Sequence, residues 1–168
     1  MKRFPATWSP SLFWRLRVVQ PLMRLLLTGV SPEEIARALA LGATIGLLPT
    51  VGTTTAVCLV LGGAMRLNQV ATQMSNYLVT PIQILLILPL LRLGERIWQV
   101  EQPLPLTASE VSQRIAEQGL GFTLELGRGV GHALTGWACI ALPVFAFTYL
   151  ASRPGLTWLA QRRSSRAA

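Results

Sequence analysis

Three stretches of the chain carry no Asp, Glu, Lys or Arg: residues 38–65, 67–91 and 129–152, each bounded by arginines. A helix needs about 20 apolar residues to cross a hydrocarbon core about 30 Å thick, and a charge at its centre is costly. The runs therefore predict helices that meet a membrane, and the polar residues within them predict different roles. The last, Gly129 to Leu150, is a clean span that closes on aromatic residues (Phe145, Phe147, Tyr149) before Arg153. Pro143 within it predicts a kink of the kind membrane helices tolerate. The middle run opens with Asn68, Gln69, Gln73 and Asn76 and is densely apolar from Ile82 to Leu91. Leu67 to Leu91 can span with Arg92 snorkelling to the interface.

The first run is different. Ser31-Pro32-Glu33-Glu34 is a helix start: a Ser N-cap, Pro at the first helical position, and Glu at the third to close a capping box. Ala38, Gly42 and Gly46 follow at intervals of four and let another helix approach closely. The helix must break at Pro49-Thr50-Val51-Gly52, where Pro lacks an amide hydrogen and Gly permits turn geometry. Thr53 then caps a second helix that runs through Met65. The halves 38–48 and 53–65 would be roughly 16 and 20 Å long at 1.5 Å per residue, each too short to cross. They read as a re-entrant hairpin; the alternative is one kinked span.

The flanks fill in the plan. Residues 11–27 suit a helix lying on the membrane surface, with Arg17, Gln20 and Arg24 on one side. Residues 99–105 read as a loop, and Thr107 to Glu110 as a capping box opening a short amphipathic helix. Gly127 to Gly131 reads as a flexible entry to the last span, since it lacks the third Gly of a dinucleotide fingerprint and the Lys of a phosphate loop. The tail from Gln161 is expected to be disordered. Lys2 and Arg3 are followed by Phe4-Pro5-Ala6-Thr7, not by an apolar core, so insertion is expected to use the internal spans. Three regions result: a basic interfacial segment 1–30, a membrane domain 31–152 and a basic tail 153–168. The expected fold is an all-α integral membrane protein: interfacial helix, broken re-entrant hairpin, two transmembrane helices, and a short amphipathic helix between them.

Charge supports this plan and removes alternatives. Charged residues make up 13% of the chain, about half the usual share for a soluble domain. The net charge of +8 comes from cations scattered at the edges of apolar runs, which does not suggest nucleic acid. Six Lys/Arg precede or include Arg37 and four lie in the tail from Arg153. That density predicts both termini in the cytoplasm and residues 99–128 outside, hence an even number of crossings. A hairpin plus two spans satisfies the count.

Ser31-Pro32-Glu33-Glu34-Ile35-Ala36, Gly42 to Gly52 with its Leu-Leu-Pro-x-x-Gly, Arg66-Leu67-Asn68, Asn76, Thr80-Pro81 and Leu93-Gly94-Glu95 together resemble the DUF2062 family of prokaryotic membrane proteins. The resemblance covers about residues 31–98 through these motifs and the rest of the chain more loosely. It implies the bacterial inner membrane and no particular chemistry. The family's Asn-Pro-x-Thr near Asn76 is absent: Tyr77 follows Asn76, and Thr80-Pro81 comes later. This marks a variant subgroup.

Candidate chemistry centres on the interruptions. The Pro49–Gly52 breaker sets the start of the second half-helix, with Thr53, Thr54 and Thr55, at membrane depth, where spare amides favour an anionic group. Asn76 to Pro81 reads as a second interruption, with Asn76 and Thr80 on one face. Paired interruptions of this kind mark transporter binding sites. The plainer reading is that these polar groups satisfy backbone freed by the prolines. Arg66 and Arg92 would steer an anion inward, or simply snorkel. Arg92 and Glu95 can pair at i, i+3, with Arg96 beside them. His132 lies shallow, without an acidic neighbour in sequence. Cys58 and Cys139 read as small buried hydrophobes. Trp8, Trp14, Trp98, Trp137 and Trp158 read as anchors or packing.

Three functional classes follow. The first handles or transports an anionic lipid headgroup or small solute at the broken helices. The second is a non-catalytic accessory protein acting through helix–helix packing. An intramembrane enzyme is disfavoured, because the acids and one His form no pair in sequence. No cofactor or metal site is expected. Membrane lipids are the expected partners, with a second copy or another membrane protein also compatible.

Overall fold

The computed structural model describes residues 30–50, 52–101, 104 and 120–167. Their regular structure is helical: α1 (Pro32–Gly46), α2 (Thr54–Ala64), α3 (Gln69–Ile97) and α4 (Leu120–Ala167). The surface helix expected at 11–27 and the helix expected from Thr107 lie outside the described residues.

α1 starts as its sequence dictates. The Ser31 hydroxyl accepts from Glu34 N at 3.1 Å, and Glu33 and Glu34 sit in the first turn, where the helix dipole favours acids. From Ala38 to Leu47 every residue except Leu39 is buried, as for a helix that is apolar all round. α1 is thus the centre of the fold. Gly42 and Gly46 make this tight fit feasible. A Cβ on Gly42 would collide with the Thr72 carbonyl oxygen, and one on Gly46 with the Val79 side chain. The small-residue spacing read from sequence therefore has its partner in α3.

Hydrogen bonds fix the directions. Ser75 donates to Leu39 O at 2.7 Å and Gln83 to Leu48 O at 2.6 Å, so α1 runs parallel to α3. Gln73 donates to Thr55 O and Gln69 to Leu59 O, both at 3.1 Å, so α2 runs antiparallel to it. α1 and α2 thus form an antiparallel pair reaching only about half-way along α3. α4 runs antiparallel to both α1 and α3. Trp137 donates to Thr44 O at 2.9 Å and the Tyr149 hydroxyl pairs with Glu33 at 3.2 Å. Against α3, Gly94 abuts the His132 carbonyl and Gly136 the Leu90 carbonyl. These two contacts bring the backbones together where any side chain would wedge them apart.

Two helices, α3 and Leu124–Gln161 of α4, are long and apolar enough to cross a membrane. Only 17% and 11% of their most apolar windows are buried by the rest of the chain. Soluble core helices are covered by protein; these expose Leu85, Leu142 and Phe147 on their outer faces, which suits membrane association.

Several expectations need correction. Asn76 to Pro81 is no interruption, because α3 continues through both Pro81 and Pro89. Pro81 removes one amide, and the Thr80 hydroxyl adds a bond to Asn76 O at 3.2 Å; in apolar surroundings continuing a helix leaves fewer bare backbone groups than breaking it. Gly127 to Gly131 lies within α4, not in a flexible entry. The tail from Gln161 is helical to Ala167, in keeping with its Gln, Arg and Ala content. Cys139 is exposed; Cys58 is buried as expected. Thr53 makes no side-chain cap to α2.

Candidate functional site

At the break, Leu47 to Thr50 leave helical geometry and Gly52 adopts φ +92°, which glycine reaches without strain. The C-terminal carbonyls of α1 end inside the protein and need donors. The fold supplies them from outside α1: Trp137 Nε1 to Thr44 O, Gln83 Nε2 to Leu48 O, and the amide of Leu48 to Ile45 O. Gln83 is 3% exposed and stands within the otherwise apolar stretch of α3. Its use is to cap another helix.

The remaining polar residues of α3 work in the same way. Gln69, Gln73, Asn76, Thr80 and Gln83 recur at helical spacing, so they form a stripe toward α1 and α2. The carbonyl of Thr55 can only accept, so Gln73 must offer it the NH₂ group. Gln73 Oε1 then faces Asn76 and accepts from Asn76 Nδ2 at 3.3 Å. Asn76 Oδ1 is left buried without a hydrogen-bond partner, directed at Gly46. The spare atom is an acceptor, and an acceptor does not attract an anion. Thr53, at the rim, donates to the Thr50 hydroxyl at 2.7 Å. Thr54 is buried and Thr55 half-buried.

The structure therefore brings Thr55, Asn76 and Thr80 onto one seam, with Thr53, Thr54, Pro49 and Gly52 at its tip. Pro81 lies exposed within unbroken α3. Arg66 and Arg92 are not part of this group. Arg66 is exposed at the far end of α2, held at φ 54° by a turn in which its own amide reaches Gly63 O and that of Leu67 reaches Gly62 O. Asn68 next to it caps α3 by accepting from Ala71 N at 3.1 Å. Roughly 35 Å of helix separates Gln69 from Arg92.

A second polar centre forms where α3 ends and α4 begins. The expected Arg92–Glu95 pair is present at 2.6 Å, with the Glu95 side chain 5% exposed and that of Arg92 36% exposed. Both residues also hold Leu104: Arg92 Nη2 donates to its carbonyl at 3.1 Å, and Glu95 Oε1 accepts its amide at 2.9 Å. Leu104 lies between Pro103 and Pro105, so its amide is the sole backbone donor of the three residues. Its side chain rests where Gly129 leaves room. The pair thus holds the Leu104 backbone against α3, while the Leu104 side chain rests on α4.

Two hollows adjoin the clamp. An inner cavity of about 140 Å³ is lined by Glu95, Val100, Leu104, Glu125, Arg128 and His132. An outer groove of about 440 Å³ is lined by Arg92, Glu95, Arg96, Gln99 and Val100. His132 Nδ1 is buried without a hydrogen-bond partner, and its ring lies 6.2 Å from that of Trp98. Trp98 in turn donates to Thr135 at 3.1 Å. Of the acids lining the same cavity as His132, Glu125 stands two turns earlier on its own helix and Glu95 is brought in by the fold. The spacing 125, 128, 132 did place three of these residues on one helical face, but nothing in the sequence linked that face to Glu95.

The family model described as an uncharacterized protein conserved in bacteria (DUF2062) matches residues 16–165. No curated protein and no solved structure matches the chain.

Proposed function

The chain belongs to the DUF2062 family, and we propose that it is a multi-pass protein of the bacterial inner membrane that binds a charged headgroup or small solute where α3 ends and α4 begins. In this reading α3 and α4 cross, α1 and α2 enter and leave from one side, and both termini are cytoplasmic. The clamp then lies at the outer interface. One observation carries the proposal: the first charges beyond two apolar runs, Arg92 and Arg128, converge on adjoining hollows with Arg96, which has no ion-pair partner among the described residues. Guanidinium groups at headgroup depth suit a phosphate, which they engage with paired N–H donors. The role in this reading is binding: Glu95 holds Arg92 and the Leu104 amide and so sets the Arg92 guanidinium beside the groove.

The site is therefore assigned away from the Pro49–Thr55 break, where glutamines serve backbone carbonyls. The test is lipid retention by the full chain in mild detergent, followed by native mass spectrometry with added phospholipids. Retained phospholipid that Arg96→Ala reduces at least about fivefold (roughly 1 kcal/mol) is the expected result. Equal retention by the variant overturns the assignment.

A second reading, a non-catalytic accessory protein acting through helix packing, is favoured by the sealed break itself. Bonds from Gln83 and Trp137 leave the end of α1 as a packing element with no ligand to hold. Loss of lipid selectivity together with stable recovery of one membrane partner would favour it.

A further inference from the structure

We infer that the ligand of the α3–α4 site is a phospholipid of the outer leaflet, with its phosphate on Arg96 and Arg92 and an acyl chain along the exposed stripe of α3 beneath them. This rests on the headgroup reading above and selects a membrane-anchored ligand over a soluble one.

Leu78, Ile82, Leu85, Pro89, Arg92 and Arg96 follow one another at intervals of four and three, so they form one line along α3. The side of α3 that packs on the bundle is marked by other residues: Thr72, Asn76, Gln83 and Gly94, all buried. The line faces outward. Leu78, Ile82 and Pro89 are exposed and Leu85 is 76% exposed, so no described helix covers it. Arg92 and Arg96 both end this line and line the outer groove. The groove therefore opens on the uncovered side of α3, where the apolar stripe stops.

Charge in the groove is simple. Arg92 neutralises Glu95 at 2.6 Å, which leaves Arg96 as the unbalanced charge of the described lining. One positive charge matches the single negative charge of a phosphodiester. Arg92 gives one N–H to Glu95 and one to Leu104 O, and a guanidinium has five. It can therefore join Arg96, one helical turn away, on the phosphate oxygens. The other described lining, Gln99 and Val100, carries no charge to select the alcohol esterified to that phosphate.

Depth and affinity favour a lipid. Half of a hydrocarbon core about 30 Å thick corresponds to about ten residues of helix, which leads from Arg92 back to Ile82. An acyl chain of one leaflet thus meets Pro89, Leu85 and Ile82 below the same phosphate. An exposed pair of opposite charges gains little in water, so Arg96 holds a free phosphate weakly. A phosphate whose chains already lie in the bilayer is presented at high local concentration.

The full chain is tested first in bacterial membranes. Benzoylphenylalanine in place of Leu85 is photoactivated, and the adduct is identified by mass spectrometry. The expected product is the chain joined to one phospholipid. Arg96→Ala should lower its yield at least about fivefold and leave unchanged the capture of lipid at Leu142, which is exposed on α4. Native mass spectrometry in mild detergent then compares phosphatidylglycerol, phosphatidylcholine and diacylglycerol of equal acyl chains with soluble glycerophosphoglycerol. The two phospholipids should be retained within about threefold of one another, and the other two compounds at least about tenfold less. Retention of glycerophosphoglycerol equal to that of the lipids, and lost in Arg96→Ala, would assign the groove to a soluble solute; the inference then fails while binding at the groove stands. Diacylglycerol retained as well as the phospholipids would overturn it, because chain contact alone would then suffice. A second copy or another protein captured at Leu85 would overturn it by showing that protein covers the stripe. If no lipid or solute responds to Arg96→Ala, the headgroup reading fails with it.

Discussion

Replacing Gln83 with Leu should destabilise the protein, although it makes an apolar helix more apolar. The Gln83 side chain is 3% exposed, and its amide lies 2.6 Å from Leu48 O at the buried end of α1. Leucine removes that donor. The loss is incomplete, because Leu48 O also accepts from Thr50 N at 2.7 Å. Hydrogen bonds between helices in membranes average about 0.6 kcal/mol with a maximum near 1.7, and a buried carbonyl left short of donors costs about 1–3. The relief of removing an amide from apolar surroundings offsets part of this. It offsets little, because the folded amide is already paired. The expected net cost is about 1 kcal/mol, or about 2–4 °C in Tm for a chain of this size. Thermal unfolding in detergent, followed by size-exclusion recovery after heating, measures it. Ile84→Leu, at a position 59% exposed on the outer face, serves as the neutral control. A Gln83→Leu protein melting at or above the parent would refute the capping argument and return Gln83 to incidental polarity.

Gly136→Ala should lower stability by about 1–3 kcal/mol through overpacking, since its Cβ meets the Leu90 carbonyl. Gly131→Ala, five residues earlier with open space around it, should leave the Tm unchanged or raise it through helix propensity of about 0.5–1 kcal/mol; equal effects at both sites would deny the close contact. Glu95→Gln keeps one acceptor but loses the ionic bond, so limited proteolysis should cut sooner near Leu104 while α3 and α4 retain their helicity by circular dichroism. Gln99 is held at φ 51° after α3, and Gln99→Gly should raise stability by up to about 1 kcal/mol by removing left-handed strain. A lower Tm for that variant would show that the Gln99 side chain contributes to the groove.

What could be read before the structure follows the range of the interactions concerned. Ser31-Pro32-Glu33-Glu34 specified its own helix start, because a cap involves residues three apart. The Arg92–Glu95 pair and the Gly42/Gly46 face were legible for the same reason. Thr80-Pro81 misled, because a proline signals a break only if the freed backbone has somewhere better to go, and within apolar surroundings it has not. Gln83 was overlooked because one amide hardly alters the hydropathy of its neighbours. Its partner, Leu48 O, is 35 positions away. His132 seemed isolated because Glu95 is brought to it by the Gly94 and Gly136 contacts, which local spacing cannot reveal.

The polar residues of this chain divide by whether their bonding capacity is already used, and that division decides where function can reside. Gln69, Gln73, Gln83 and Trp137 each present a donor to a carbonyl of the broken segment. α1 and α2 are too short to cross by themselves, and the end of α1 draws donors from α3 and α4. At the opposite end of α3 the balance reverses. Arg92 and Glu95 fix Leu104 and retain further capacity, Arg96 has no ion-pair partner among the described residues, and His132 Nδ1 has no hydrogen-bond partner. Groups that complete the backbone cannot also bind a ligand without loosening the fold. Groups with capacity to spare can: on the seam of the broken pair these are the buried acceptors Gln69 Oε1 and Asn76 Oδ1, which do not attract an anion, and at the two hollows they include the guanidinium of Arg96.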